Sequence, residues 1–171
     1  MAGYPGVAAG KLNQRKGTAL NLEVNIKEVE MATDTEKLAK DLIAAINSQD
    51  VDKALSFFTD DCVYEDVAVG KVNHGKQELK AFFTGWYVFS HDLKFELTSQ
   101  FSAGAWGATE WIMSGTHTGD VLGIPATNKR FSVRGVSITE LGMGRIRRNS
   151  DYWNIATFLQ QIGILPATPT E

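Results

Sequence analysis

The chain has 171 residues, 43% of them hydrophobic, which suffices for one domain with a substantial core and argues against wholesale disorder. Its net charge of −3 argues against the concentrated positive field of a nucleic-acid binder. One cysteine, Cys62, leaves no internal disulfide, and no run of eighteen apolar residues exists to span a membrane.

Residues 1–32 are rich in glycine and unbalanced in basic side chains. They read as a loose extension, with strand-like alternation at Leu22, Val24 and Ile26 within Leu20–Val29. Thr33, Asp34 or Thr35 can cap a first helix whose apolar face is Leu38, Leu42, Ala45 and Ile46. Asp50 can cap a second helix carrying Val51, Ala54, Leu55 and Phe58. An acidic turn, Asp60-Asp61, leads into a short strand on which Tyr64 and Asp66, two residues apart, share a face. A third helix is expected from about Lys76 to Phe89, with a stripe of Leu79, Phe82, Phe83 and Trp86; His74 can cap it.

From Asp92 the period changes to two. Leu93, Phe95, Leu97, Ser99 and Phe101 alternate with polar residues, as on a half-buried strand. Strands over Ala105–His117, Arg130–Leu141 and Arg145–Trp153 follow, the last two joined at Gly142-Met143-Gly144 by a turn that needs positive φ. Asn154 can cap a short terminal helix, and Pro166 and Pro169 mark a tail from residue 166. Helices followed by a meander of antiparallel strands give an α+β class, with one domain over residues 33–165.

The run Phe57-Phe58-Thr59-Asp60-Asp61-Cys62-Val63-Tyr64-Glu65-Asp66, followed by His74-Gly75, resembles the cone-shaped domains of the nuclear-transport-factor-2-like superfamily. Gly115-Thr116-His117-Thr118-Gly119 with Leu122-Gly123-Ile124-Pro125, and Asp151-Tyr152-Trp153 with Leu159-Gln160-Gln161-Ile162-Gly163, resemble its SnoaL-like ester cyclases in particular. The resemblance implies a curved antiparallel sheet wrapped around three N-terminal helices, an apolar pocket, no cofactor, and a homodimer through the sheet face. It places Asp151 at the cyclases' acid–base aspartate. Asp66 falls at the base of the related ketosteroid isomerase, a system whose neutral-acid oxyanion hole is a known pattern. Tyr64 falls at a tyrosine of limonene epoxide hydrolase. Departures are equally visible: Leu42, Gly135, Ser137, Trp111 and Met113 stand where those relatives carry further catalytic groups.

The candidate catalytic residues are therefore Asp151, Asp66 and Tyr64, with two carboxylates on one pocket able to divide the roles of acid and base. Candidate substrate contacts are His117, Trp111, Trp153, Ser137 and Trp86. Each has a structural alternative. Asp66 can close a turn before Val67–Gly70, Asp151 can pair with Arg147 on the surface, His117 can be a hydrogen-bonded strand-end residue, and the aromatics can be plain core. No histidines have metal-ligand spacing, so no metal is expected. The expectation is a cytoplasmic protein that takes a small, largely apolar, oxygenated organic molecule, without nucleic acid or membrane partners. It is either an acid–base enzyme (cyclase, isomerase or dehydratase) acting next to a carbonyl or a non-catalytic binding or dimerisation module.

Overall fold

The structure, a computed structural model, describes Glu23 and residues 35–166. The expected extension over residues 1–32, with its strand-like piece at Leu20–Val29, and the tail from residue 166 otherwise lie outside the described residues. Helix α1 occupies 35–47 and buries Ala45 and Ile46. Helix α2 (Val51–Ser56) is capped by Asp50, whose Oδ1 accepts from the backbone N–H of Lys53 at 2.9 Å. It stops before Phe58, which is fully buried as the first residue of strand β1 (Phe58–Asp66) rather than part of the helix.

A hairpin that periodicity did not reveal follows. Strand β2 (Lys71–His74) pairs antiparallel with the end of β1, Tyr64 opposite Asn73 and Asp66 opposite Lys71. Four residues are too few to display an alternation. Helix α3 (Gly75–Phe89) buries Leu79, Phe83 and Phe89. His74 makes no side-chain cap bond to it; its backbone N–H instead donates to Glu78 Oε2 at 2.7 Å.

Strands β3 (Lys94–Ala103), β4 (Trp106–Thr116), β5 (Arg130–Gly142) and β6 (Arg145–Trp153) form the meander, and helix α4 (Ile155–Gln161), capped by Asn154, follows it. The sheet order is β2-β1-β6-β5-β4-β3, antiparallel throughout except for the parallel pair β1–β6. The aromatic faces of α3 and the inward sheet residues share one core that includes Phe58, Phe83, Phe95 and Trp111.

Two irregularities change which residues face that core. Leu97 opposes Trp111 but Ser99 opposes Glu110, so β3 carries an extra residue, Thr98, and Phe101 is 66% exposed instead of continuing the buried face. On β6, Leu141 opposes Ile146 and Glu140 opposes Arg148, leaving Arg147 as the extra residue. Arg147 thus leaves the face of Asp151 and pairs with Glu140. The Met143-Gly144 turn has the expected positive φ at both residues, 51° and 73°. Among the described residues no helix is long and apolar enough to cross a membrane.

Candidate active site

The site forms where β1, β5 and β6 lie side by side. Asp151 on β6 is the register partner of Asp66 on parallel β1 and of Ser137 on antiparallel β5. In-register residues of neighbouring strands point the same way, so both carboxylates and the serine face the cone's interior. Tyr64, two residues before Asp66, joins them.

Asp151 is 5% exposed and accepts three hydrogen bonds. Ser137 Oγ donates to Oδ1 at 2.6 Å, Asn149 Nδ2 donates to Oδ1 at 2.7 Å, and the Tyr64 hydroxyl donates to Oδ2. These donors have partners of their own. Trp111 Nε1 donates to Ser137 Oγ at 2.9 Å, and Thr139 Oγ1 donates to Asn149 Oδ1 at 3.0 Å. Burial holds the Asp151 carboxyl above its ordinary range, and the three donors offset part of that rise. Tyr64 titrates well above an ordinary phenol because it is buried and faces the charge of Asp151.

Asp66 is held differently. Its Oδ1 accepts from Trp153 Nε1 at 2.8 Å and, more weakly, from the Val69 N–H at 3.4 Å. The turn contact expected of a structural aspartate is therefore present. Burial nevertheless dominates and pushes its pKa up to about 6, with the charge of Asp151 adding to the rise.

Two cavities meet at Asp151. The larger, about 330 Å³, is walled mainly by apolar side chains such as Phe82, Phe89 and Met113; Asp66, Asp151 and Trp153 also line it. Its volume is in the range of small-molecule sites. The smaller, about 50 Å³, is also lined largely by apolar side chains, with Ser137, Thr139 and Asn149 among its polar residues. Trp86, Phe95, Trp111 and Asp151 border both, so the two indoles and the phenyl ring form the partition between them.

The residues singled out by sequence divide accordingly. Asp66, Asp151, Trp86, Trp111 and Trp153 line the larger cavity, whereas Tyr64 and Ser137 line the smaller one and touch Asp151. His117 lines neither. It is fully buried, with Nδ1 3.1 Å from Thr127 Oγ1 and accepting the Thr127 N–H at 3.3 Å, and it pins the 117–129 loop back on itself. That loop places Asp120, Val121 and Leu122 on the larger cavity, a contribution the sequence did not signal. Nor did it signal Asn149 as a donor to Asp151, although its position two residues earlier on one strand was the clue. Among the described residues no cluster of His, Cys, Asp and Glu could hold a metal ion.

Residues 36–162 match the family model of the SnoaL-like polyketide cyclases. An aklanonic acid methyl ester cyclase of Streptomyces sp. strain C5 is 25% identical over 138 residues, covering 77% of this chain and 83% of the relative. A nogalonic acid methyl ester cyclase of Streptomyces nogalater is 31% identical over 88 residues, 49% of this chain and 66% of that one. Among solved structures, TsrD from Streptomyces laurentii superposes with a TM-score of 0.70 at 24% identity, covering 78% of this chain and 97% of its own. A protein with a ketosteroid isomerase-like fold from Catenulispora acidiphila superposes at 0.65 and 20% identity, covering 77% and 97%. The structural likenesses establish the cone fold.

Proposed function

The chain belongs to the SnoaL-like polyketide cyclase family, and we propose that it is an acid–base enzyme closing a ring next to a carbonyl of a small, largely apolar, oxygenated substrate. The observation that carries this reading is the pair of buried carboxylates, Asp66 and Asp151, in register on one wall of a mostly apolar 330 Å³ cavity. Among the described residues no cation pairs with either acid; burying two acids in that way is costly for folding, and active sites are where such a cost is retained.

In the proposed reaction, ionised Asp151 removes a proton from the carbon between two carbonyl groups. The resulting enolate carbon attacks a further carbonyl elsewhere in the same molecule, forming a carbon–carbon bond and an alkoxide. Protonated Asp66 gives its proton to that alkoxide, and the proton held by Asp151 then restores Asp66. The apolar walls exclude water, which strengthens each of these charge interactions.

The test is incubation with aklanonic acid methyl ester and simpler aromatic 1,3-dicarbonyl esters, followed by product analysis and by deuterium uptake at the acidic carbon. Cyclised product that is lost in Asp151→Asn supports the proposal. Ligand bound with no exchange and no product would assign the chain to the non-catalytic alternative. We further propose that the outer sheet face, where Trp106 and Tyr152 are 44% and 45% exposed, pairs two copies. Sedimentation of wild type against Trp106→Glu reads that directly.

A further inference from the structure

The donors around Asp151 are not equivalent. An indole N–H can donate a hydrogen bond but never accept one, whereas a serine hydroxyl does both. Trp111 Nε1 donates to Ser137 Oγ, so the single proton of Ser137 is directed at Asp151 Oδ1, 2.6 Å away. The Asn149 amide, its oxygen already accepting from Thr139, points its nitrogen at the same Oδ1. Oδ1 is thereby filled by two donors, while Oδ2 has, among the described residues, the Tyr64 hydroxyl alone, which can reverse and accept.

The indole is itself held by shape. Trp111 and Gly135 are register partners, and a Cβ at position 135 would lie 2.2 Å from Trp111 Cη2. Any other residue at 135 would have to displace the ring that supplies the N–H.

We propose that Trp111 is a positioning residue that, through Ser137, keeps Asp151 Oδ1 a permanent acceptor and leaves Oδ2, on the Tyr64 side, as the oxygen that takes up and releases the proton. This deepens the acid–base reading and rests on it. When Asp151 is protonated at Oδ2, its O–H donates to Tyr64 Oη, and the tyrosine hydroxyl turns from donor to acceptor in that contact. Three other carboxyl groups among the described residues line the cavities that Asp151 borders: Asp66 on the adjacent strand β1, Glu36 on α1 at the smaller cavity and Asp120 in the 117–129 loop at the larger one; Asp66 shares no donor with Asp151. Trp111 thus sets the direction of proton exchange without touching the carboxylate.

The experiment is a carbon-13 titration of Asp151 in wild type, Trp111→Phe, Ser137→Ala and the double variant. Removing the indole N–H frees Ser137 to accept a proton from Oδ1, so Trp111→Phe is expected to titrate at higher pH than wild type. In the Ser137→Ala background the same substitution is expected to have no further effect. An unchanged titration in Trp111→Phe, or an equal shift with and without Ser137, would overturn the proposal. If Trp111→Phe does not fold, the wild-type indole N–H resonance is followed instead. It is expected to move with the Asp151 titration and to lose that movement in Ser137→Ala; a resonance indifferent to Asp151 overturns the proposal equally. These readouts need no substrate, so a protein that turns over nothing would sink the acid–base reading and leave this one separately decided.

Discussion

Asp66 and Asp151 sit opposite each other across the parallel pairing of β1 and β6, and the N–H of Val67 donates to the Asp151 carbonyl at 3.0 Å between them. The two side chains meet one cavity with different equipment. Asp151 has three donors, one of them anchored by an indole, while Asp66 has one indole N–H and a long backbone contact. A division into base and acid requires two neighbouring acids to titrate apart, and unequal sets of donors favour that.

The raised pKa of Asp66 fixes a sign for stability. The folded carboxyl titrates at about 6 against an ordinary 3.8, so the native state holds a proton that the unfolded chain releases. The associated stability is full below the ordinary value and is lost as pH rises through about 6, a difference on the order of 3 kcal/mol. The bonds from Trp153 Nε1 and from the Val69 N–H fall on Oδ1, which asparagine reproduces. Asp66→Asn is therefore expected to be more stable than wild type above pH 7, and the gap should close toward pH 4. Urea unfolding at a series of pH values measures it; a gap that widens on acidification would contradict the assignment.

Tyr64→Phe keeps the ring contacts with Phe83 and Phe82, both at 5.5 Å between centroids, and removes only the hydroxyl. A buried carboxylate then loses a charge-assisted bond, at a cost of about 1.5–3 kcal/mol in stability. Asp151 should titrate higher than in wild type, and turnover of any accepted substrate should fall by about 10²-fold or more. Comparing kcat/KM profiles with denaturation midpoints separates the two effects.

Gly119 carries the 117–129 loop past the end of α3. Its N–H donates to the Phe89 carbonyl at 3.0 Å, and an added Cβ would lie 2.1 Å from the Val88 carbonyl oxygen. Backbone cannot give way as a flexible side chain can. Gly119→Ala is expected to lose about 1–3 kcal/mol. It should also weaken binding of an apolar fluorescent probe, because Asp120, Val121 and Leu122 line the larger cavity. Unchanged probe affinity would mean the loop does not shape the site.

Met143 is 93% exposed and holds φ of 51° in the β5–β6 turn, a conformation that costs an L-residue about 1–2 kcal/mol. Asn-Gly is the preferred pair for such hairpins. Met143→Asn should raise the melting temperature with no change in ligand binding, and differential scanning calorimetry would detect it.

Much of this was legible in the residues. The helix stripes, the caps at Asp50 and Asn154, the meander of strands and the shared face of Tyr64 and Asp66 all follow from local spacing. What spacing cannot state is which strand lies beside which. The contacts Trp111–Ser137 and Ser137–Asp151 join residues 26 and 14 positions apart, and they depend on a register no single segment encodes. Bulges defeat alternation outright. Counting by twos puts Arg147 on the face of Asp151, and one extra residue in β6 sends it to Glu140.

The parallel pairing of β1 with β6 also has a consequence for synthesis. Tyr64 and Asp66 are made first, while Asn149, Asp151 and Trp153 all stand on β6, more than eighty residues later. Contacts of such separation form late, because the long stretch of chain between them has to be closed first. Until then β1 ends in a tyrosine and an aspartate whose interior partners have yet to arrive. The strand that completes the pairing of β1 is the one that carries Asp151, so the sheet and the candidate site are completed by the same pairing.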